Sequence, residues 1–241
     1  MTRVLERGDV FFFFKPRIGA TAVRSLDDVA RFFFILDRDG IGAERMVIVG
    51  RKRLPDLDSH ERAWSLVTEV ADRPEKLRDR VRSRVYQTKT RGLRVEPAAQ
   101  PVGEGRYLLA DHDGHSHFAY ELELPPEPGE VQQMFGVHRD ASFVIALRNP
   151  DAPAPPGTGL PRSRRAYLPP EVKERFRGRR WLAIDDASLL DYSGVELVLI
   201  GARRDAEDEL GIELDTEAET VASSELLHEL DVRPDVLVHR H

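Results

Sequence analysis

The chain has 241 residues, 41% of them hydrophobic and 32% charged, with a formal net charge of −6 at pH 7 and no cysteine. That suffices for a sizeable core in one large or two small domains, and the lack of thiols excludes disulfides, thiolate zinc sites, iron–sulfur clusters and cysteine nucleophiles. The negative balance argues against a surface given over wholly to nucleic acid or anionic membrane, because such binding neutralises phosphates with clustered cations.

Residues 10–14 read as a first strand. Four consecutive phenylalanines there require both faces to be covered, and Lys15-Pro16-Arg17 stops the strand because proline cannot donate to a ladder. Ser25 caps a short helical turn, with Asp27 and Asp28 where the helix dipole favours acids. Residues 32–36 and 45–49 form a hairpin across Asp39-Gly40 and Gly42. Asp58 and Glu61 make a capping box, which opens a helix with Ala63, Trp64, Val67, Val70 and Ala71 along one stripe. Pro74 starts a second helix, with Leu77 and Val81 at i, i+4. Residues 84–103 are polar and punctuated by Gly92, Pro97 and Pro101, an irregular edge segment.

The stretch 104–150 is the core unit. Strands at 106–110 and 118–124 flank Asp111-His112-Asp113-Gly114-His115-Ser116-His117, in which Asp-Gly between apolar alternations signals a tight hairpin. A short helix with Val131, Met134 and Phe135 at i, i+3, i+4 and an apolar strand at 142–147 follow. Seven prolines between Asn149 and Pro170 mark a linker, a surface loop or a flap. Pro170 then begins a helix with Val172 and Phe176 inward, before a strand at 181–184, a helical turn at 188–192 and a central strand at 195–200. Three apolar strands ending in arginine, at 46–51, 143–148 and 197–203, form a weak internal echo.

These elements predict an α+β fold, a mainly antiparallel sheet with helices packed on one face, built from two similar sub-units if the echo is a duplication. Its expected segments are an α+β core at 1–148, a proline-rich loop or linker at 149–170, an α/β segment continuing the sheet at 171–204, and an acidic, partly helical tail at 205–241. No apolar run approaches the roughly 18 residues of a membrane helix and no signal-peptide pattern opens the chain, so a cytoplasmic location without membrane attachment is expected.

With Gly8-Asp9-Val10-Phe11-Phe12-Phe13-Phe14-Lys15-Pro16-Arg17, Gly50-Arg51-Lys52-Arg53-Leu54-Pro55 and Thr88-Lys89-Thr90-Arg91-Gly92, the chain resembles members of an uncharacterised bacterial protein family. The resemblance spans most of the first 200 residues. It implies no activity, substrate or catalytic residue.

Three constellations could carry chemistry. His112, His115 and His117 place three imidazoles within six residues, two of them, His115 and His117, on one face of an extended strand, where they could share a divalent metal or simply form a solvated hairpin tip, the commoner outcome for such turns. Thr88, Lys89, Thr90 and Arg91 alternate hydroxyls with cations, a cradle for phosphate or carboxylate that Arg51, Lys52 and Arg53 could extend, or simply edge charges that deter strand pairing. Arg162, Arg164, Arg165, Arg175, Arg177, Arg179 and Arg180 form a basic tract interleaved with Tyr167, Phe176 and Trp181, of which only Tyr167 is expected to be exposed for stacking. Phosphate-loop, dinucleotide, nucleophile-elbow and kinase signatures are absent. The reading these features favour is a cytoplasmic binding or regulatory protein of unknown specificity, with an anionic small molecule as its candidate ligand and nucleic acid a poor partner; the residues leave the cofactor unknown. The alternatives are a metal-dependent hydrolase using the histidine turn and a single-stranded nucleic-acid binder using the arginine tract.

Overall fold

Four phenylalanines in a row cannot all point one way in a strand, and this alternation sets the architecture. In the computed structural model, which describes all residues except 1, 21, 41–43, 72–73, 89, 91, 154–163, 206–209, 215 and 217–241, strand β1 spans Thr2–Pro16. It sends Val10, Phe12 and Phe14 into one core and Phe11 and Phe13 into another. Strand β2 (Val29–Arg38) repeats the division in register, Phe12 opposite Phe34 and Phe13 opposite Phe33.

Strands β3 (Glu44–Val49) and β4 (Arg62–Ala71) complete an antiparallel meander. A second meander consists of β7 (Gln100–His112), β8 (His115–Leu124), β9 (Asp140–Arg148) and β11 (Val195–Arg203). β1 pairs with β7 and β4 with β11, so the eight strands close on themselves in the order β1-β2-β3-β4-β11-β9-β8-β7. Closure leaves no edge in the ring. β10 (Trp181–Ala183) extends past the end of β8 along the same side of β9. Between the meanders, β5 (Arg84–Thr88) and β6 (Gly92–Glu96) form a separate two-stranded hairpin.

An eight-stranded barrel has an interior just wide enough for side chains to fill or for one small ligand. Here aromatic rings fill it: Phe34 stacks on Phe118 at 5.2 Å between ring centroids, Phe12 meets Tyr120 at 4.8 Å, and Tyr120 stacks on Phe143 at 6.3 Å. One mouth is plugged by α2 (Glu130–Phe135), whose Phe135 stacks on Phe14 and Phe32. The other is covered by a 3-10 turn (Ala187–Leu190) and by a buried polar knot. In that knot Glu6 accepts hydrogen bonds from Arg45 at 2.5 Å and Tyr107 at 2.7 Å, and Arg45 also reaches Asp191 at 2.7 Å.

The expected α+β class is therefore wrong: helices do not form a layer on one face of a sheet, because the rolled sheet encloses most of the main core itself. α1 (Pro74–Val81) covers a patch of the outer wall with Leu77 and Val81, and α3 (Pro170–Arg175) adds Val172 to the main core. The expected helix at residues 58–71 is strand β4. Its apparent helical stripe mixes inward Ala63 and Val67 with outward Trp64, and pairing with β3 and β11 on both sides outweighs the capping box. Ser25 does cap a turn, but no helix follows it. The expected irregular segment 84–103 holds β5, β6 and the start of β7. The Asp113-Gly114 turn between β7 and β8 is as read, both residues at positive φ in the manner of a type I′ turn, but the strands run on through residues 111–112 and 115–117, which were expected in the turn. The internal echo falls on β3, β9 and β11, the third strand of one meander and the third and fourth of the other, so it does not follow the two halves of the barrel as a duplication would. Of the proline-rich stretch, residues 154–163 lie outside the described residues. So does the predicted tail helix, whereas Leu210 and Leu214 pack on Leu108, Ala110 and Ala119 of the outer wall.

Candidate functional site

Strand alternation turns Lys15 and Arg31 outward, one step beyond the stacked pair Phe13 and Phe33. The two cations sit directly opposite each other in the β1–β2 register. Lys15 is nonetheless only 6% exposed. Its ammonium lies 3.3 Å from Glu96 of β6, and Arg84 of β5 and Arg80 of α1 close in from above to enclose a cavity of about 250 Å³. The floor is apolar, made of Phe33, Met46 and Ile48. Among the described residues Glu96 is the sole carboxylate lining the cavity; Arg80 is held from outside by Glu69 at 2.6 Å. Burial pushes the Lys15 pKa below the usual lysine value. Arg31 and Arg84 push it the same way, and the Glu96 carboxylate opposes them.

The arrangement joins the barrel wall, a helix and the hairpin around concentrated positive charge. A phosphate or carboxylate would satisfy the cations while an attached apolar group lay on the floor, a division usual in small-ligand sites. Aromatic rings occupy the interior. A closed barrel is a fold that can hold small ligands, and this recess lies on the outside of the wall.

The turn expected from the sequence to bind an anion lies at the far end of the same hairpin. Thr88 donates to the Gly92 carbonyl at 3.2 Å and so closes the hairpin, Thr90 is exposed, and Lys89 and Arg91 lie outside the described residues. The three cations expected to extend that cradle are engaged elsewhere: Arg51 and Arg53 pair with Glu61, and Lys52 donates to the carbonyls of Leu26 and Val29. Lys15 and Arg31 were readable as the outward residues of two phenylalanine-rich strands. Their convergence with Arg80 and Arg84 depends on the placement of α1 and the hairpin.

The three imidazoles share the outer side of β7 and β8, His112 opposite His115 and His117 opposite Ala110. They do not converge. His112 and His117 meet edge to face with centroids 5.9 Å apart. The Thr2 hydroxyl donates to the Leu210 carbonyl, so its oxygen must accept from His112 Nδ1, 2.7 Å away. Among the described residues no three His, Asp or Glu side chains are grouped to hold a metal ion. In the arginine tract, Phe176 is fully buried and Trp181 packs on Trp64 at 5.3 Å, while Tyr167 stands exposed as expected. Arg175 pairs with Asp185, Arg165 donates to the Pro150 carbonyl, and Arg162 lies outside the described residues.

The fold and cavity together define a side-chain-filled antiparallel barrel with a cation-lined recess on its wall. Compared with protein-family models, with curated proteins and with solved structures, the chain matches none. The resemblance carried by residues 8–17 accordingly adds no activity to this description. No described helix is long and apolar enough to cross a membrane.

Proposed function

We propose that this chain is a binding protein for a small amphipathic anion, a phosphate or carboxylate on a short apolar group, held between Lys15, Arg31 and Arg84 over Phe33, Met46 and Ile48. The observation that carries the reading is the register of Lys15 opposite Arg31. Like charges directly opposite on a sheet destabilise it, burying one of them adds a desolvation cost, and a bound anion relieves both. This keeps the anionic ligand expected from the sequence and moves it from the Thr88 to Arg91 turn to the base of the same hairpin.

Isothermal titration with inorganic phosphate, phenyl phosphate and hexanoate tests it. Phenyl phosphate should bind more tightly than inorganic phosphate, because only it uses the apolar floor. Replacing one charge-assisted partner, Arg31→Gln, should weaken binding about tenfold or more. No heat from any of the three anions, or equal affinity in the Arg31→Gln, Arg84→Gln double variant, would overturn the proposal.

A further inference from the structure

We infer that Lys15 forms a covalent imine with the carbonyl carbon of a short 2-oxo acid, and that Glu96 carries the proton this reaction moves. The inference rests on the anion-binding reading of the same cavity and gives its ligand a second functional group. Among the described residues lining the cavity, Lys15 supplies the only primary amine. The three arginines beside it stay protonated and do not attack a carbonyl. A lysine becomes a nucleophile where an apolar pocket or a neighbouring cation disfavours its ammonium form. Lys15 has both, with Phe33, Met46 and Ile48 in the floor and Arg31 directly opposite in the ladder. Its lowered pKa reflects the same surroundings, burial first and then Arg31 and Arg84, against Glu96.

Anion binding alone gives Glu96 no part, since a carboxylate in the wall of an anion site repels the ligand. Yet Glu96 lies 3.3 Å from the Lys15 amine. In imine formation it has a part. Glu96 accepts a proton from the ammonium, and the freed amine adds to the carbonyl carbon, a proton passing from nitrogen to oxygen. The carbinolamine hydroxyl then leaves as water with the proton that Glu96 returns. Ammonium and ketone have become iminium and water, and Glu96 ends ionised as it began. Register sets the substrate class. Lys15 and Arg31 are direct partners across β1 and β2, where opposed β-carbons lie roughly 5 Å apart. Neighbouring side chains reach neighbouring atoms, so the carbonyl taken by Lys15 and the carboxylate held by Arg31 sit on adjacent carbons. That is a 2-oxo acid. Its aliphatic remainder lies on the apolar floor of the cavity, whose volume of about 250 Å³ admits a short chain.

Reductive trapping of the full chain tests this, with 2-oxohexanoate as the probe and cyanoborohydride to reduce an iminium to a stable secondary amine. Intact mass and peptide mapping read the product. One adduct per chain should form, at Lys15 rather than at Lys52, Lys76, Lys89 or Lys173, and excess hexanoate should suppress it. Lys15→Met should abolish the adduct. Glu96→Gln should slow trapping about a hundredfold, with hexanoate bound at least as tightly. Loss of that carboxylate lowers the Lys15 pKa further and frees more amine, so a Glu96 that only anchored the hairpin would leave trapping as fast or faster. No adduct, adducts spread over the other lysines, an undiminished adduct in Lys15→Met, or an unslowed rate in Glu96→Gln would each overturn the inference. Titration with hexanoate, which lacks the carbonyl, separates the two readings. Heat with hexanoate but no adduct removes the imine and leaves the anion site standing, whereas neither heat nor adduct removes both.

Discussion

Burial lowers the Lys15 pKa from 10.5, with Arg31 and Arg84 adding to it against Glu96, and the sign of the pH dependence follows. Below its folded pKa the lysine is charged in both states, and the fold bears the full desolvation penalty. Between that value and 10.5 the unfolded chain holds the extra proton, so stability rises with pH across this window and levels off above it. Urea midpoints measured against pH should show Lys15→Met at least as stable as the parent near neutrality, the difference closing as the window is crossed. Anion affinity should fall over the same window as the ammonium charge is lost. The buried knot behaves differently, because Glu6 and Arg45 side chains are each 1% exposed. Arg45→Met strips Glu6 of its closest cation and should cost about 3–5 kcal/mol in chemical denaturation, whereas Glu6→Met together with Arg45→Met should recover most of it. Recovery would fail if the knot were needed to hold the Asp191 turn in place.

Among the elements, β4 and the β5–β6 hairpin are where local pattern and tertiary context diverge most. Residues 58–71 carry a capping box and a passable helical stripe, yet the segment lies between β3 and β11, where both rows of backbone groups find partners. The loop before it docks on the barrel at Gly201 of β11, which donates to the Glu61 carbonyl and accepts from His60. A β-carbon on Gly201 would come within 2.3 Å of the Asp56 carbonyl oxygen. Gly201→Ala should therefore force the loop off the wall and destabilise the protein by about 1–3 kcal/mol, read as a lowered melting temperature. An unchanged melting temperature would show that the loop moves without cost. The short apolar strands β3, β9 and β11 were legible because runs of branched residues of that length suit a buried ladder whatever sheet they join.

At the scale of the molecule, β11 closes the ring, and without it β4 and β9 would each present a bare edge. Ending the chain before Val195 should give aggregated material rather than a smaller folded barrel, checked by size-exclusion chromatography of the truncated chain; a monodisperse truncation product would show that seven strands suffice. The sequence by itself determined the strands around Phe12, Phe34, Met46, Phe118 and Val144, the Asp113-Gly114 turn and the helices at Pro74, Glu130 and Pro170, because alternation, turn chemistry and capping act within a few residues. Only the tertiary structure decided that the sheet closes, that residues 62–71 are extended, and that Lys15 and Arg31 meet Arg80 and Arg84 across the chain. Closure and convergence depend on pairings between residues far apart in sequence, such as β1 with β7 and β4 with β11, and local periodicity carries no record of which strand a given strand will lie beside.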